Sequence, residues 1–335
     1  VTFAGFIEIL WLTWFLHRQS VYLKPSWDIF TLIKDSSIRT LFERVAPGIL
    51  GAGVYQINMV VDTIIVSMVG TGAISWLYYA NRLQQLPLGV VGAAISVAVL
   101  PILSQHLKAG ETEQARNVQD KAIEYGALLS IPAAIALIIL AEPIINILFQ
   151  HGKFGAFETS MTAQAVIAYA VGLPVYVLVK ALAPNFFARG DTKTPVKYSI
   201  IVLFTNLSFS IILMKPFGHV GIASATTIAA FVSFYQYYRG LRKRNYWTFP
   251  RKLKIKTFKI VICSLFMGLA LCVGETFLNW YFDGWLRLHM LPKLFLLGFL
   301  CILGVATFAI TAKLTGVLDI KEVIGLLLHR RKKHA

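Results

Sequence analysis

Apolar runs of eighteen or more residues recur from one end of the chain to the other, and charged residues are nearly confined to the segments between them. A helix of eighteen to twenty apolar residues crosses the hydrocarbon of a bilayer, where every backbone N–H and C=O must be bonded internally. Strand-period alternation is absent, so the spanning elements are helices and not the strands of a barrel. Composition agrees. Of 335 residues, 57% are hydrophobic and only 14% charged, whereas a soluble domain keeps roughly a quarter charged to cover its surface. The chain reads as an all-α, polytopic membrane protein.

The expected spans are one partial helix at 1–16 and eight full ones near 40–69, 72–105, 122–149, 158–187, 196–214, 219–239, 258–281 and 291–313. Val1 opens inside "VTFAGFIEILWLTWFL", which lacks the basic start and cleavage site of a signal peptide. The reading is a chain that begins partway through a helix. Segment 17–39 is polar, with an amphipathic piece around Trp27 to Ile33 that suits a connector lying at the membrane surface. Assigning the loops alternately to two sides places 26 of the 32 Lys and Arg on one side, in 17–44, 106–121, 188–197, 239–259 and 313–335. The positive-inside rule makes that side cytoplasmic, with the C-terminal "HRRKKHA" inside. The net charge of +16 is thereby explained by topology, and nucleic acid drops out as a partner. Cys263, Cys272 and Cys301 have no metal or redox spacing and read as small core residues.

Some charges sit where hydrocarbon should be. Arg82, in "SWLYYANRLQQLP", lies about ten residues into its span, roughly 15 Å deep at the helical rise. Facing lipid there costs at least ~2.5 kcal/mol, so it must face protein or a wet cavity. Either it pairs with a carboxylate, Asp62 being the candidate, or it forms an anion site, since a guanidinium grips phosphate in a bidentate fork. Ser75, Arg82 and Gln85 share a helix face by their offsets, with Tyr78 one turn before Arg82 and Asn81 beside it, while Gln84 falls off that face. Asp62 sits in "YQINMVVDTII", and later spans offer Asn206 and Ser210 at i, i+4, then Thr226 and Thr227. Oxygen ligands without Cys or His suit a hard cation such as sodium; hydrogen bonding between helices is the plainer alternative for Asn206, Ser210 and Thr226. Lys180, in "VYVLVKALAP", either snorkels to the cytoplasmic surface or lines a cavity. No phosphate-cradling Gly loop, Ser-His-Asp order or paired carboxylates appear, so nothing argues for an enzyme.

"SWLYYANRLQQLPLGVVGAAISVAVLPILS", "LFQHGKF" and "GDTKTPVK" resemble the MurJ (MviN) lipid II flippases of bacteria, a family of the MOP exporter superfamily. The similarity runs from about Glu43 to Arg242 and weakens beyond. It implies a bundle like that of MurJ and the MATE exporters: two six-helix lobes around a central cavity, in the bacterial inner membrane. This chain would supply the end of one helix (1–16), an interlobe connector (17–39) and the second lobe (40–243). A basic cytoplasmic loop (244–257), two extra helices forming a lipid-tail groove (258–313) and a basic tail (314–335) would follow. The first lobe would be a missing partner from the same chain.

By resemblance, Arg82 matches the second-lobe cavity arginine implied to contact the diphosphate of lipid II, and Ser75 matches a cavity serine. Lys180 matches a lysine found in relatives. Gln85 stands where some members have Glu. Asp62, Asn206 and Thr226 fall where some members bind sodium, and Ser210 replaces a carboxylate expected there; no other cofactor is implied. The expected function is transfer of lipid II between leaflets by alternating access, among membrane lipids. The rivals are a cation-coupled exporter of drugs or other polyprenyl-linked sugars, a membrane enzyme on polyprenyl phosphates, and a scaffold for which Arg82 and Asp62 are an unexplained cost.

Overall fold

The computed structural model describes residues 2–18, 53 and 56–317, and these are mostly helical, with no strand among them. The connector at 17–39 beyond Arg18, half of the span expected at 40–69, and the tail beyond Val317 lie outside the described residues. The chain divides into two units, Val1–Ala46 and Pro47–Ala335. In the first, α1 (Thr2–Arg18) is a single apolar helix with Phe6, Trp11 and Trp14 exposed and Arg18 over the Trp14 ring.

The second unit opens with α2 (Gln56–Ser67). Next come α3 (Ala73–Pro87), a π-helical segment (Leu88–Ala93) and α4 (Ala94–Lys108), one continuous apolar rod of 36 residues. The widened turn begins directly after Pro87, whose ring displaces the carbonyl one turn back and which has no N–H to donate. The expected span at 122–149 is two helices. α5 (Thr112–Ile139) starts ten residues earlier than expected, and α6 (Ala141–Phe149) follows a break at Leu140. Pro143 explains the break: a helix continuing through it would clash at the Ile139 carbonyl, whereas Pro is tolerated in a first turn.

α7 (Ala156–Leu182) is the central helix, packed against α3, α5, α6 and the second half of the lobe; a short α8 (Pro184–Phe187) turns the chain at its end. α9 (Lys193–Lys243) is far too long for one crossing, and it is broken at Gly218 (φ 55°, ψ −131°). There the chain doubles back. A side-chain carbon at Gly221 would lie 2.2 Å from the Leu213 carbonyl oxygen, and one at Gly240 would lie 2.3 Å from the Tyr198 hydroxyl. Residues eight and forty-two apart in sequence touch only if the two halves are antiparallel. Hence α9 is a hairpin whose legs hold the expected spans 196–214 and 219–239. The last elements are α10 (Arg251–Tyr281), a 3₁₀ turn at Trp285–Arg287 and α11 (Met290–Leu314). α10 packs on α5 and α11, and it enters helix at Arg251, inside the stretch expected to be loop (244–257). Its outward residues remain apolar and exposed, Trp280 at 78% and Phe295 of α11 at 78%, as lipid-facing side chains should be.

Where the basic residues gather, a polar clasp joins three segments. Arg244, just past α9, donates to Asp191 (2.5 Å) and to the Thr194 hydroxyl (2.9 Å), while the Thr194 backbone N–H donates to Asp191 (3.0 Å). Arg189 lies 4.0 Å over the Tyr246 ring and bonds Asn185, which donates to Gln119 of α5 (3.1 Å). Burial raises the Asp191 pKa, but the Thr194 and Arg244 bonds outweigh it and hold the carboxyl below its ordinary range. The clasp is therefore complete above about pH 4 and is lost as pH falls through the depressed Asp191 value.

Two outcomes follow for stability. Gly221→Ala should lower the melting temperature sharply, with a cost of ~2 kcal/mol or more from forced backbone movement, while Gly298→Ala, where a side chain meets open space, should not. An equal melting temperature for both variants would contradict the tight reversal. Arg244→Ala should be destabilised by ~1 kcal/mol at pH 7, and the gap to wild type should close on acidification below pH 4. A pH-independent gap would contradict the Asp191 pairing.

Candidate functional site

Asp62 and Arg82, two of the intramembrane charges, open onto one cavity of about 470 Å³ bordered by α2, α3, α7 and the second leg of α9. On α3 the lining residues are Ile74, Leu77, Tyr78, Asn81, Arg82 and Gln85, spaced by three and four as one helical face requires. That face is centred between Tyr78 and Asn81. Arg82 stands at its edge and reaches in with its long side chain. Ser75 shares that edge and has only a short side chain; it is exposed and does not line the cavity.

The residues of this face hold one another. Arg82 donates from Nη2 to the Tyr78 hydroxyl (3.1 Å) and from Nη1 to Gln85 Oε1 (3.3 Å), and its guanidinium carbon lies 4.9 Å from the Tyr78 ring centroid. Gln85 in turn donates to Asn81 Oδ1. A guanidinium has five N–H donors, and these two bonds leave three for a ligand. Among the described residues no carboxylate pairs with Arg82, so the ion pair with Asp62 considered from sequence does not form. Gln84, off the face as expected, is buried and donates to the Tyr169 carbonyl (3.0 Å), which pins α3 to α7.

Asp62 is bonded from two sides instead. Asn58 Nδ2, one turn before it, donates to one carboxylate oxygen (2.9 Å), and Asn206 Nδ2 from the first leg of α9 donates to the other (2.7 Å) and to Asn58 Oδ1 (3.2 Å). Asn206 is 2% exposed and Ser210, one turn on, is 0% exposed; Asn206 Oδ1 and Ser210 Oγ are buried with no hydrogen-bond partner. Thr226, on the second leg, lines the cavity beside them and donates to the Ile222 carbonyl (3.1 Å). Thr227 faces away and bonds Ala168 (2.8 Å). Among the described residues there is no cluster of three or more His, Cys, Asp or Glu; the donors around Asp62 are the side-chain amides of Asn58 and Asn206 and the Thr226 hydroxyl.

Lys180 is not brought to this cavity. Its stem crosses the π-helical segment, where a side-chain carbon at Gly92 would lie 2.8 Å from Lys180 Cδ, so a larger residue there would make the lysine shift. Sequence reasoning passed over Tyr169 and Asn58 as site residues. Asn58 was findable as the i−4 neighbour of Asp62, whereas Tyr169 is placed only by the packing of α7.

A cavity lined by a guanidinium that meets only neutral partners among the described residues is the kind of place where an anionic substrate can be held, and comparison with known proteins says which kind of protein builds it. The family model described as "Lipid II flippase MurJ" matches residues 1–291. A probable lipid II flippase MurJ of Haemophilus influenzae is 33% identical over 94% of this chain, and one of Rickettsia prowazekii is 32% identical over 94%. In both cases the chain spans 61% of the relative's own length. Among solved structures, lipid II flippase MurJ in an inward closed conformation superposes with a TM-score of 0.66 at 27% identity, covering 84% of this chain and 56% of that one. An outward-facing multidrug MATE transporter of the MOP superfamily matches at 0.52 and 18% identity over 86% of this chain and 66% of its own, which shows a shared fold alone. With its motifs, its hairpin-bearing lobe and a family match over most of its length, the chain belongs to the lipid II flippase MurJ family.

Proposed function

We propose that the protein moves lipid II from the inner to the outer leaflet of the bacterial cytoplasmic membrane by alternating access, and that Arg82 holds the lipid's diphosphate. One observation carries the reading: a guanidinium within the membrane, bonded only to neutral partners among the described residues, opens into a cavity of about 470 Å³. A diphosphate and its sugar head cannot cross hydrocarbon unaided. Tyr78 and Gln85 orient the guanidinium, and its remaining donors form charge-assisted bonds to phosphate oxygens, roughly twice as strong as neutral ones. Asn81 holds Gln85 in turn. The undecaprenyl tail stays in lipid or against the helices at 258–313, and rocking of two lobes exposes the cavity to one side at a time.

Asp62, Asn206, Ser210 and Thr226 fit a sodium ion: they supply a carboxylate, an amide and two hydroxyls, and two of their buried oxygens lack a hydrogen-bond partner. When bound, the ion would supply a positive charge that neutralises Asp62 and ties α2 to both legs of the hairpin. Asn58 holds the carboxylate in place for it. Each charge shifted across the membrane during the cycle feels ~2.3 kcal/mol per 100 mV, so either the ion or Arg82 can bias the two states.

The test is made with the complete protein in cells depleted of their own flippase, scoring the lipid II that becomes accessible to an outer-face cleaving toxin. Wild type should restore access and Arg82→Ala at equal protein level should not; loss of one charge-assisted bond corresponds to roughly 10- to 100-fold weaker binding. Full restoration by Arg82→Ala would remove the anion-site role, and failure of the correctly inserted wild type would remove lipid II as the substrate.

A further inference from the structure

A second cavity, of about 250 Å³, lies behind the Asp62 cluster between α7 and the two legs of the hairpin. Asn58 and Thr226 line both cavities, so the cluster is the wall between them. Asn206 closes the inner end of this second space, and its buried Oδ1, unbonded to any protein group, belongs to that wall. From there the lining runs through Ser199 and Ser233 to Tyr237. Ser199 is seven residues from Asn206, about 10 Å nearer the end of the hairpin where Lys193 and Lys243 lie. Ala229, Ala230 and the two serines are small, which makes the room, and the volume admits several waters.

We propose that this cavity is a hydrated vestibule through which a small hard monovalent cation reaches Asp62 and Asn206 from the basic end of the lobe, by a route separate from the Arg82 cavity. The proposal rests on the sodium reading above. A cation approaching through the larger cavity passes a guanidinium in a poorly screened interior, whereas the vestibule holds hydroxyls and no cation. Lys193 and Lys243, at that end of the hairpin, are exposed to salt, which screens charge beyond about 8 Å at physiological ionic strength. Separate routes let the substrate cavity fill while the cation site stays in exchange with water.

The experiment uses the complete protein with its native cysteines replaced by Ala, in inside-out vesicles whose basic face is outward. Ser233→Cys and, on the opposite wall, Ser199→Cys are labelled with a membrane-impermeant cationic methanethiosulfonate in sodium or in choline. Alongside, the sodium-dependent rise in melting temperature is measured for wild type and for Asp62→Asn. The expected result is labelling of both cysteines from the basic face, slowed by sodium roughly tenfold at ten times its Kd, together with a sodium shift that Asp62→Asn abolishes. A wild-type sodium shift with both cysteines unreactive, or with reactivity that sodium leaves unchanged, overturns the vestibule and keeps the ion site. The absence of any sodium shift in wild type overturns the ion site and the vestibule together.

Discussion

A guanidinium keeps its charge at every physiological pH, and hydrocarbon cannot solvate it; the architecture around Arg82 follows from those two facts. Helices α2, α3, α7 and the second leg of α9 stand far enough apart to leave a cavity, and Asn58, Asp62, Asn81, Arg82, Gln85 and Thr226 border it. Tyr78 and Gln85 satisfy part of the guanidinium without neutralising it. Had Asp62 paired with Arg82, the two charges would have cancelled and the cavity would hold a structural ion pair. Asn58 and Asn206 occupy the carboxylate instead, and so each charge stays available to a ligand of opposite sign.

The hairpin of α9 makes this separation possible. Its first leg brings Asn206 against α2, and its second brings Thr226 and Ile222 to the cavity that Arg82 shares. The reversal between the legs depends on Gly218 and Gly221, because no side chain fits against the Leu213 carbonyl. At the other end the Asp191–Arg244 clasp fixes the hairpin to the segment after α7. A lobe tied at both ends is suited to move as one body, while the cluster between its two cavities provides a place for a cation to bias that motion.

Much of this was legible in the sequence because membranes impose coarse rules. Span length and loop charge follow from the thickness of hydrocarbon and from backbone bonding, and they located the hairpin legs and the Arg82 span. What escaped depends on packing across helices. The face read from sequence through Ser75, Arg82 and Gln85 lies to one side of the lining, which is centred between Tyr78 and Asn81; the reach of a side chain decides who enters, so Arg82 arrives and Ser75 does not. The break at Leu140 and the wide turn after Pro87 come from proline clashes that hydropathy does not register. Tyr169 and the Lys180 passage over Gly92 depend on which helices touch, and no periodicity within one helix encodes that.

The account turns on whether Arg82 binds a diphosphate. The most direct measurement is the equilibrium dissociation constant of purified complete protein for lipid II, for wild type and Arg82→Ala, at low and at high salt. The account predicts that the variant binds at least roughly tenfold more weakly and that its affinity depends less on salt, since one charge-assisted contact is gone. Equal constants and equal salt dependence for the two proteins would contradict it.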